Sequence, residues 1–98
     1  MTIEKNLNQD SMVVKIIGRL DTTTAPELES EMTVSLNGVK NLVLDLAELE
    51  YISSAGLRVI LKTQKTMNAQ GDMKLVHVNE SVMEVFDITG FSDILCIE

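Results

Sequence analysis

"NLVLDLAELEYISSAGLRVIL", residues 41–61, decides the fold. Residues 41–47 form a short apolar run, rich enough to predict a strand buried on both faces, as in a parallel sheet. Two adjacent serines, Ser53 and Ser54, follow, and then Leu57, Ile60, Leu61 and Met67 recur at helical spacing. That spacing predicts a helix from about Ser54 to Gln70, with Gly71 as its stop signal. Between strand and helix, Asp45, Glu48 and Glu50 read as a solvated strand end and turn rather than a working pair of carboxylates. The two hydroxyls at the start of the helix have no evident catalytic neighbour, and that absence frames the functional question.

Outward from this stretch the same alternation continues. "TIEKNL" and "MVVKIIG" are extended segments joined by the polar turn "NQDS", which predicts an N-terminal antiparallel hairpin. "DTTTAPELESEMTVSLNG" reads as a helix. Thr24 and Glu27 have capping-box spacing, Pro26 lies in the first turn, and Ala25, Leu28, Met32 and Leu36 form one apolar stripe before Asn37-Gly38 ends it. Downstream, "MKLVHV" predicts a buried strand. "NESVMEVFDITG" predicts a third helix with Val82, Val85 and Phe86 inward, and "DILCIE" a terminal strand. The order implies an α/β fold: a four- or five-stranded, mostly parallel mixed sheet with the hairpin at its start, covered by three helices.

Composition sets the limits. Ninety-eight residues are expected to form a single domain over 1–98. A chain of that size buries roughly 65% of its unfolded surface, enough for one core without metal or disulfides. Aromatic residues are only 3% of the chain, so the stacking platforms that bind bases are missing. A net charge of −7 repels polyanions, which argues against nucleic acid or an anionic membrane as partner. Cys96 is the lone cysteine, expected as a buried strand thiol, so no intramolecular disulfide forms. The first ten residues lack the basic and apolar regions of a signal peptide and the apolar runs fall short of a membrane span, so a soluble protein in the cytoplasm is expected.

The residues give no support to an enzyme. Ser54-Ala55-Gly56 lacks the first glycine of a nucleophile elbow, whose place Ile52 takes. His77, the sole candidate base, lies in "KLVHVN" and reads as a half-buried strand histidine. A phosphate-binding loop needs more glycines and usually a lysine, and no metal-ligand spacing occurs, so no cofactor is implied. Either serine suits an N-cap. An exposed hydroxyl there also suits modification, because free N–H groups at a helix N-terminus welcome phosphate.

"GRLDTTTAPEL", then "NLVLDLAELEYISSAGLRVIL", then "VMEVFDITGF" together resemble the STAS domain of bacterial anti-sigma-factor antagonists. The resemblance spans nearly the whole chain in the expected order. It implies that Ser54, two residues before Gly56, is the phosphoacceptor, with Ser53 as second choice. Many members carry aspartate in place of Ser53 and a second serine in place of Ala55. The implied partner surface comprises Asp21, Thr22, Thr23, Ser53, Ser54, Ala55, Gly56, Leu57 and Arg58. The implied partners are an anti-sigma factor with serine kinase activity and an ATP-binding, histidine-kinase-like fold, and a PP2C-type phosphatase that reverses the mark. The rival readings are a non-phosphorylated STAS subunit of a transporter or signalling assembly, a small nucleotide-binding module, and a minimal hydrolase.

Overall fold

The computed structural model describes residues 1–98. Strands β1 (Thr2–Asn8) and β2 (Ser11–Leu20) form the antiparallel hairpin, followed by helix α1 (Ala25–Ser35) and strand β3 (Asn41–Asp45). Strand β4 (Leu49–Ile52), helix α2 (Ser54–Gln70), strand β5 (Asp72–Val76), helix α3 (Glu80–Thr89) and a 3₁₀ turn at Phe91–Asp93 complete the chain. The sheet runs β1-β2-β3-β5, with β4 also pairing β2. Only β1 is antiparallel to its neighbour; β3 and β4 are parallel to β2, and β5 is parallel to β3.

One detail positions everything that matters later. The first half of β2 pairs with β3 through Ser11–Lys15, and its last residues pair with β4 through Gly18–Leu20. The register shifts between Gly18 and Arg19, where the N–H of Gly18 donates to the carbonyl of Glu48 at 2.9 Å. β3 and β4 are thus two consecutive runs along one side of β2, separated by a short step. The Asp45 carboxylate holds that step by accepting from the Ala47 N–H at 3.0 Å. Residues 49–52, expected as part of a solvated turn, are therefore a strand, with Leu49 and Ile52 buried. The acidic neighbours hid it: Glu48 and Glu50 are exposed, and only alternate positions face the core.

The helices cover one face of the sheet. Met12, Val14, Ile16, Leu42, Leu44, Met73 and Leu75 are buried, whereas the alternate residues Val13, Lys15, Val43, Asp45 and Lys74 keep solvent contact. The expectation that residues 41–47 are buried on both faces is corrected accordingly. Period-2 alternation was present, but Val43 on the open face made the run look uniformly apolar. On the covered face α1 and α2 run side by side in the same direction. Glu29 meets Lys62 at 3.3 Å, and the Gln70 amide donates to the Leu36 and Val39 carbonyls at 2.7 Å. Leu28, Met32, Ile60, Met67, Val82 and Phe86 fill the space beneath, while Leu61 and Val85, expected to face inward, are only half-buried.

The C-terminus departs from expectation. "DILCIE" makes a single parallel bridge, Leu75 to Ile97, instead of a strand, and Cys96 is exposed rather than a buried thiol. The 3₁₀ turn takes up Asp93 at the start of this segment, Leu95 is buried, and Ile97 packs half-buried against the core. His77 is likewise exposed. It follows β5 with φ 58°, and its Nδ1 lies 3.1 Å from Asp45 Oδ1.

Candidate functional site

The pairing of β2 with β4 brings two chain segments to one end of the sheet. Leu20 and Ile52 are register partners, and one residue further on the Ser53 N–H donates to the Leu20 carbonyl at 2.9 Å. The loop beginning at Asp21 and the start of α2 are therefore adjacent, although they are more than thirty residues apart in sequence.

The two serines have different fates. Ser53 is the N-cap of α2, with extended backbone (φ −98°, ψ 174°), and its hydroxyl accepts from the Gly56 N–H at 3.3 Å. Its carbonyl accepts the Leu57 N–H at 2.9 Å. Ser54 is the first helical residue and is exposed, and its hydroxyl has no protein partner. Capping needs an oxygen positioned before the helix, so only the first of two consecutive serines can serve, and the second points to solvent.

Gly56 explains why the helix can start here. A β-carbon at this position would sit 2.7 Å from Leu20 Cγ and 3.0 Å from Ile52 Cγ1 and from the Leu20 carbonyl oxygen. Only hydrogen fits between α2 and the ends of β2 and β4. Leu57 is buried beside it. Gly56 and Leu57, expected on a contact surface, therefore support that surface from beneath; a solvent-facing contact by either is corrected. Ala55 is half-buried, while Thr22, Thr23 and Arg58 are exposed.

Asp21 organises the facing loop. Its Oδ1 accepts from the N–H groups of Thr23 and Thr24 at 3.0 and 3.1 Å, and Arg19 Nε lies 3.8 Å from Oδ2. These bonds, led by the Thr24 N–H, hold the Asp21 carboxyl below the usual carboxylate range against the opposing effect of partial burial. Asp21 is thus a turn-forming residue, with Oδ1 committed to the loop and Oδ2 beside Arg19. Thr24 is the residue preceding α1, as its spacing predicts, but the capping box does not form. The Thr24 hydroxyl accepts from the Asp21 N–H at 2.8 Å and donates to the Arg19 carbonyl at 2.9 Å, so it ties the loop together and makes no cap bond to the helix. Asp21 and Arg19, three and five residues before Thr24, engage that hydroxyl in the turn preceding the helix, local competitors that the T-x-x-E spacing does not include.

Sequence reasoning missed Tyr51. It is the single tyrosine of the chain and half-exposed on β4, and the Arg19 guanidinium stacks over its ring at 4.3 Å from the centroid. Arg19 and Tyr51 are register partners across β2 and β4, a relation visible only once β4 is known to exist. His77 pairs with Asp45, and no three His, Cys, Asp or Glu side chains converge to hold a metal ion.

The STAS domain family model matches residues 2–98. Among curated relatives, BtrV of Bordetella bronchiseptica, a candidate anti-sigma factor antagonist, is 40% identical over 88 residues, covering 87% of this chain and 76% of its own. The anti-sigma-B factor antagonist of Bacillus subtilis is 31% identical over 98 residues, covering 99% of this chain and 90% of its own. Among solved structures, an anti-sigma factor antagonist from Mycobacterium paratuberculosis has a TM-score of 0.87 at 24% identity, covering 98% of this chain and 83% of its own. The unphosphorylated form of SpoIIAA has a TM-score of 0.77 at 14% identity, covering 99% and 87%. At such identities the structural likeness speaks for the fold. With the match running from Thr2 to Glu98 and relatives above 30% identity over nearly the whole chain, the protein belongs to the STAS domain family.

Proposed function

We propose that this chain is an anti-sigma-factor antagonist controlled by phosphorylation of Ser54. The unphosphorylated form binds an anti-sigma factor with serine kinase activity, thereby releasing the sigma factor. The partner, through its ATP-binding, histidine-kinase-like fold, transfers phosphate to Ser54 and dissociates, and a PP2C-type phosphatase restores the starting state. Residues 1–98 act as one domain in the cytoplasm, as binding partner and phosphate acceptor rather than as an enzyme. No cofactor is required. The contact surface is formed by Asp21, Thr22 and Thr23 from one segment and Ser53, Ser54, Ala55 and Arg58 from the other, with Arg19 and Tyr51 at its border.

The observation that carries this reading is the division of labour between the serines. The Ser53 hydroxyl is committed to the Gly56 N–H, and that of Ser54 is free and exposed. A kinase reaching the start of α2 meets one available hydroxyl. The relatives named as antagonists support the class of partner.

Physical chemistry then gives the switch its sign. A phosphate at a helix N-terminus is favoured by roughly 0.3–1 kcal/mol, so the folded chain tolerates it. The same group within a docked interface must shed its water, and a buried charge without full compensation costs several kcal/mol. A loss of about 3 kcal/mol is more than a hundredfold in affinity. Incubation with the cognate kinase and ATP, followed by mass spectrometry of the modified peptide, tests the assignment. Label is expected on Ser54. Ser54→Ala should bind the kinase persistently without being modified, and Ser54→Asp should bind at least tenfold more weakly. Label on Ser53 would move the acceptor by one residue. No label on either serine, with undiminished binding by Ser54→Asp, would leave a non-phosphorylated subunit as the better account. ATP and GTP titrations of the isolated chain test the nucleotide-binding alternative.

A further inference from the structure

Helix α2 is chemically unlike the rest of the protein. It carries Arg58, Lys62 and Lys65 and no carboxylate, whereas the remainder of the chain holds five Lys and Arg against fifteen Asp and Glu. Most cations near the site are engaged. Lys62 pairs with Glu29 of α1, and Arg19 lies between Asp21 and the Tyr51 ring. Arg58 is not. It is exposed and makes no ion pair or side-chain hydrogen bond.

Arg58 stands four residues after Ser54 on the same helix. Residues at that spacing share a face, with β-carbons about 5–6 Å apart. Helical side chains also lean toward the N-terminus, so the surface a residue covers lies over the turn before its own Cα. For Arg58 that turn begins at Ser54. A planar guanidinium is the side chain best shaped to grip two phosphate oxygens at once. Because both residues are exposed, their pairing requires little desolvation.

We infer that Arg58 is the intramolecular partner of a phosphate on Ser54, so that modification reverses the sign of charge at the head of α2. Without phosphate, this corner presents an uncommitted cation in an otherwise acidic protein. With phosphate, the cation is masked and a net negative charge replaces it. A partner that reads this corner therefore meets two changes at once, a lost positive contact and a gained negative one. The inference rests on Ser54 being the acceptor and adds a role for Arg58 beyond direct partner contact.

The charged or titratable groups on the elements around α2 are Arg19 near the end of β2 and Asp21 just after it, Glu50 and Tyr51 on β4, Glu27, Glu29 and Glu31 on α1, Asp72 and Lys74 on β5, and Lys62 and Lys65 further along α2. All are common to the variants compared below, so a difference between them isolates Arg58. The test uses the full chain with phosphoserine incorporated site-specifically at position 54, which needs no kinase. Phosphorus NMR then follows the second ionisation of the phosphate, ordinarily near pH 6. A nearby cation favours the dianion and lowers that pKa. Arg58→Gln should raise it by about 0.3 pH unit, the shift expected of one exposed pair at this spacing. Arg58→Lys should recover most of the wild-type value. Unmodified Arg58→Gln should melt at the wild-type temperature, which separates lost pairing from a disturbed fold. Identical phosphate titrations in wild type, Arg58→Gln and Arg58→Lys would overturn the pairing, whether or not a kinase labels Ser54, since the phosphate is installed independently.

Discussion

Replacing Gly56 by alanine puts a methyl group where the structure leaves room for hydrogen alone. In an unconstrained helix interior the change would be favourable by up to about 1 kcal/mol, since alanine is the better helix former. Here the new carbon would lie 2.7 Å from Leu20 Cγ and 3.0 Å from both Ile52 Cγ1 and the Leu20 carbonyl oxygen. Carbon atoms in contact prefer about 3.5–4.0 Å, so a neighbour must retreat by roughly 1 Å. Leu20 is fully buried, and the carbonyl belongs to the strand that receives the Ser53 N–H, so neither yields easily. Overpacking of this kind costs about 1–3 kcal/mol, and neighbours this rigid put the site in the upper part of that range, about 2–3 kcal/mol, above the propensity gain. The net loss of about 1–2 kcal/mol lowers Tm by roughly 5–15 °C in a domain of this size. Thermal and urea unfolding of Gly56→Ala measure it. The displaced start of α2 should also slow phosphorylation of Ser54 well below the melting temperature. Gly38→Ala is the contrast: no atom lies within 4 Å of the new carbon there, and the cost of about 1 kcal/mol comes from a φ of +82°. That variant should lose stability and keep its phosphorylation rate. A Gly56→Ala chain as stable as wild type would refute the close-packing argument.

Three further outcomes follow from the same geometry. Thr24→Ala removes the hydroxyl that joins the Asp21 N–H to the Arg19 carbonyl, and should cost about 1 kcal/mol in urea unfolding, whereas Thr24→Ser should be close to neutral. Asn79 caps α3 by accepting from the Val82 N–H at 2.9 Å and donates to the carbonyl of buried Leu49 at 2.7 Å. Asn79→Ala therefore loses a cap and strands an acceptor, for about 2 kcal/mol by the same measurement. Asp21 and Asp45 both have carboxyls held below their ordinary range. For Asp45, burial pushes upward but the Ala47 N–H and His77 outweigh it. A depressed folded-state pKa contributes stability above the unfolded value near 4 and loses it as pH falls through the folded value. Melting temperature should accordingly fall with acidification below about pH 4, and Asp45→Asn should flatten that slope; an unchanged slope would count against the Asp45 contacts.

Much of this protein was legible in its sequence because the information was local. The alternation of apolar period from strand to helix predicted all three helices and strands β1, β2, β3 and β5, and the same spacing put the start of α2 at about Ser54, while cap chemistry alone left the two serines equivalent. The tertiary structure decided whatever depended on a neighbour distant in sequence. Residues 49–52 became a strand because β2 was long enough to pair beyond its bulge, and acidic flanks had masked the pattern. The terminal segment reaches the sheet through one bridge, Leu75 to Ile97, in place of a strand, and leaves Cys96 exposed. Gly56 proved to be a packing residue because Leu20 and Ile52 converge on it. Propensity and spacing act over a few residues along the chain, whereas these choices were made by atoms that meet only when the sheet brings its strand ends together.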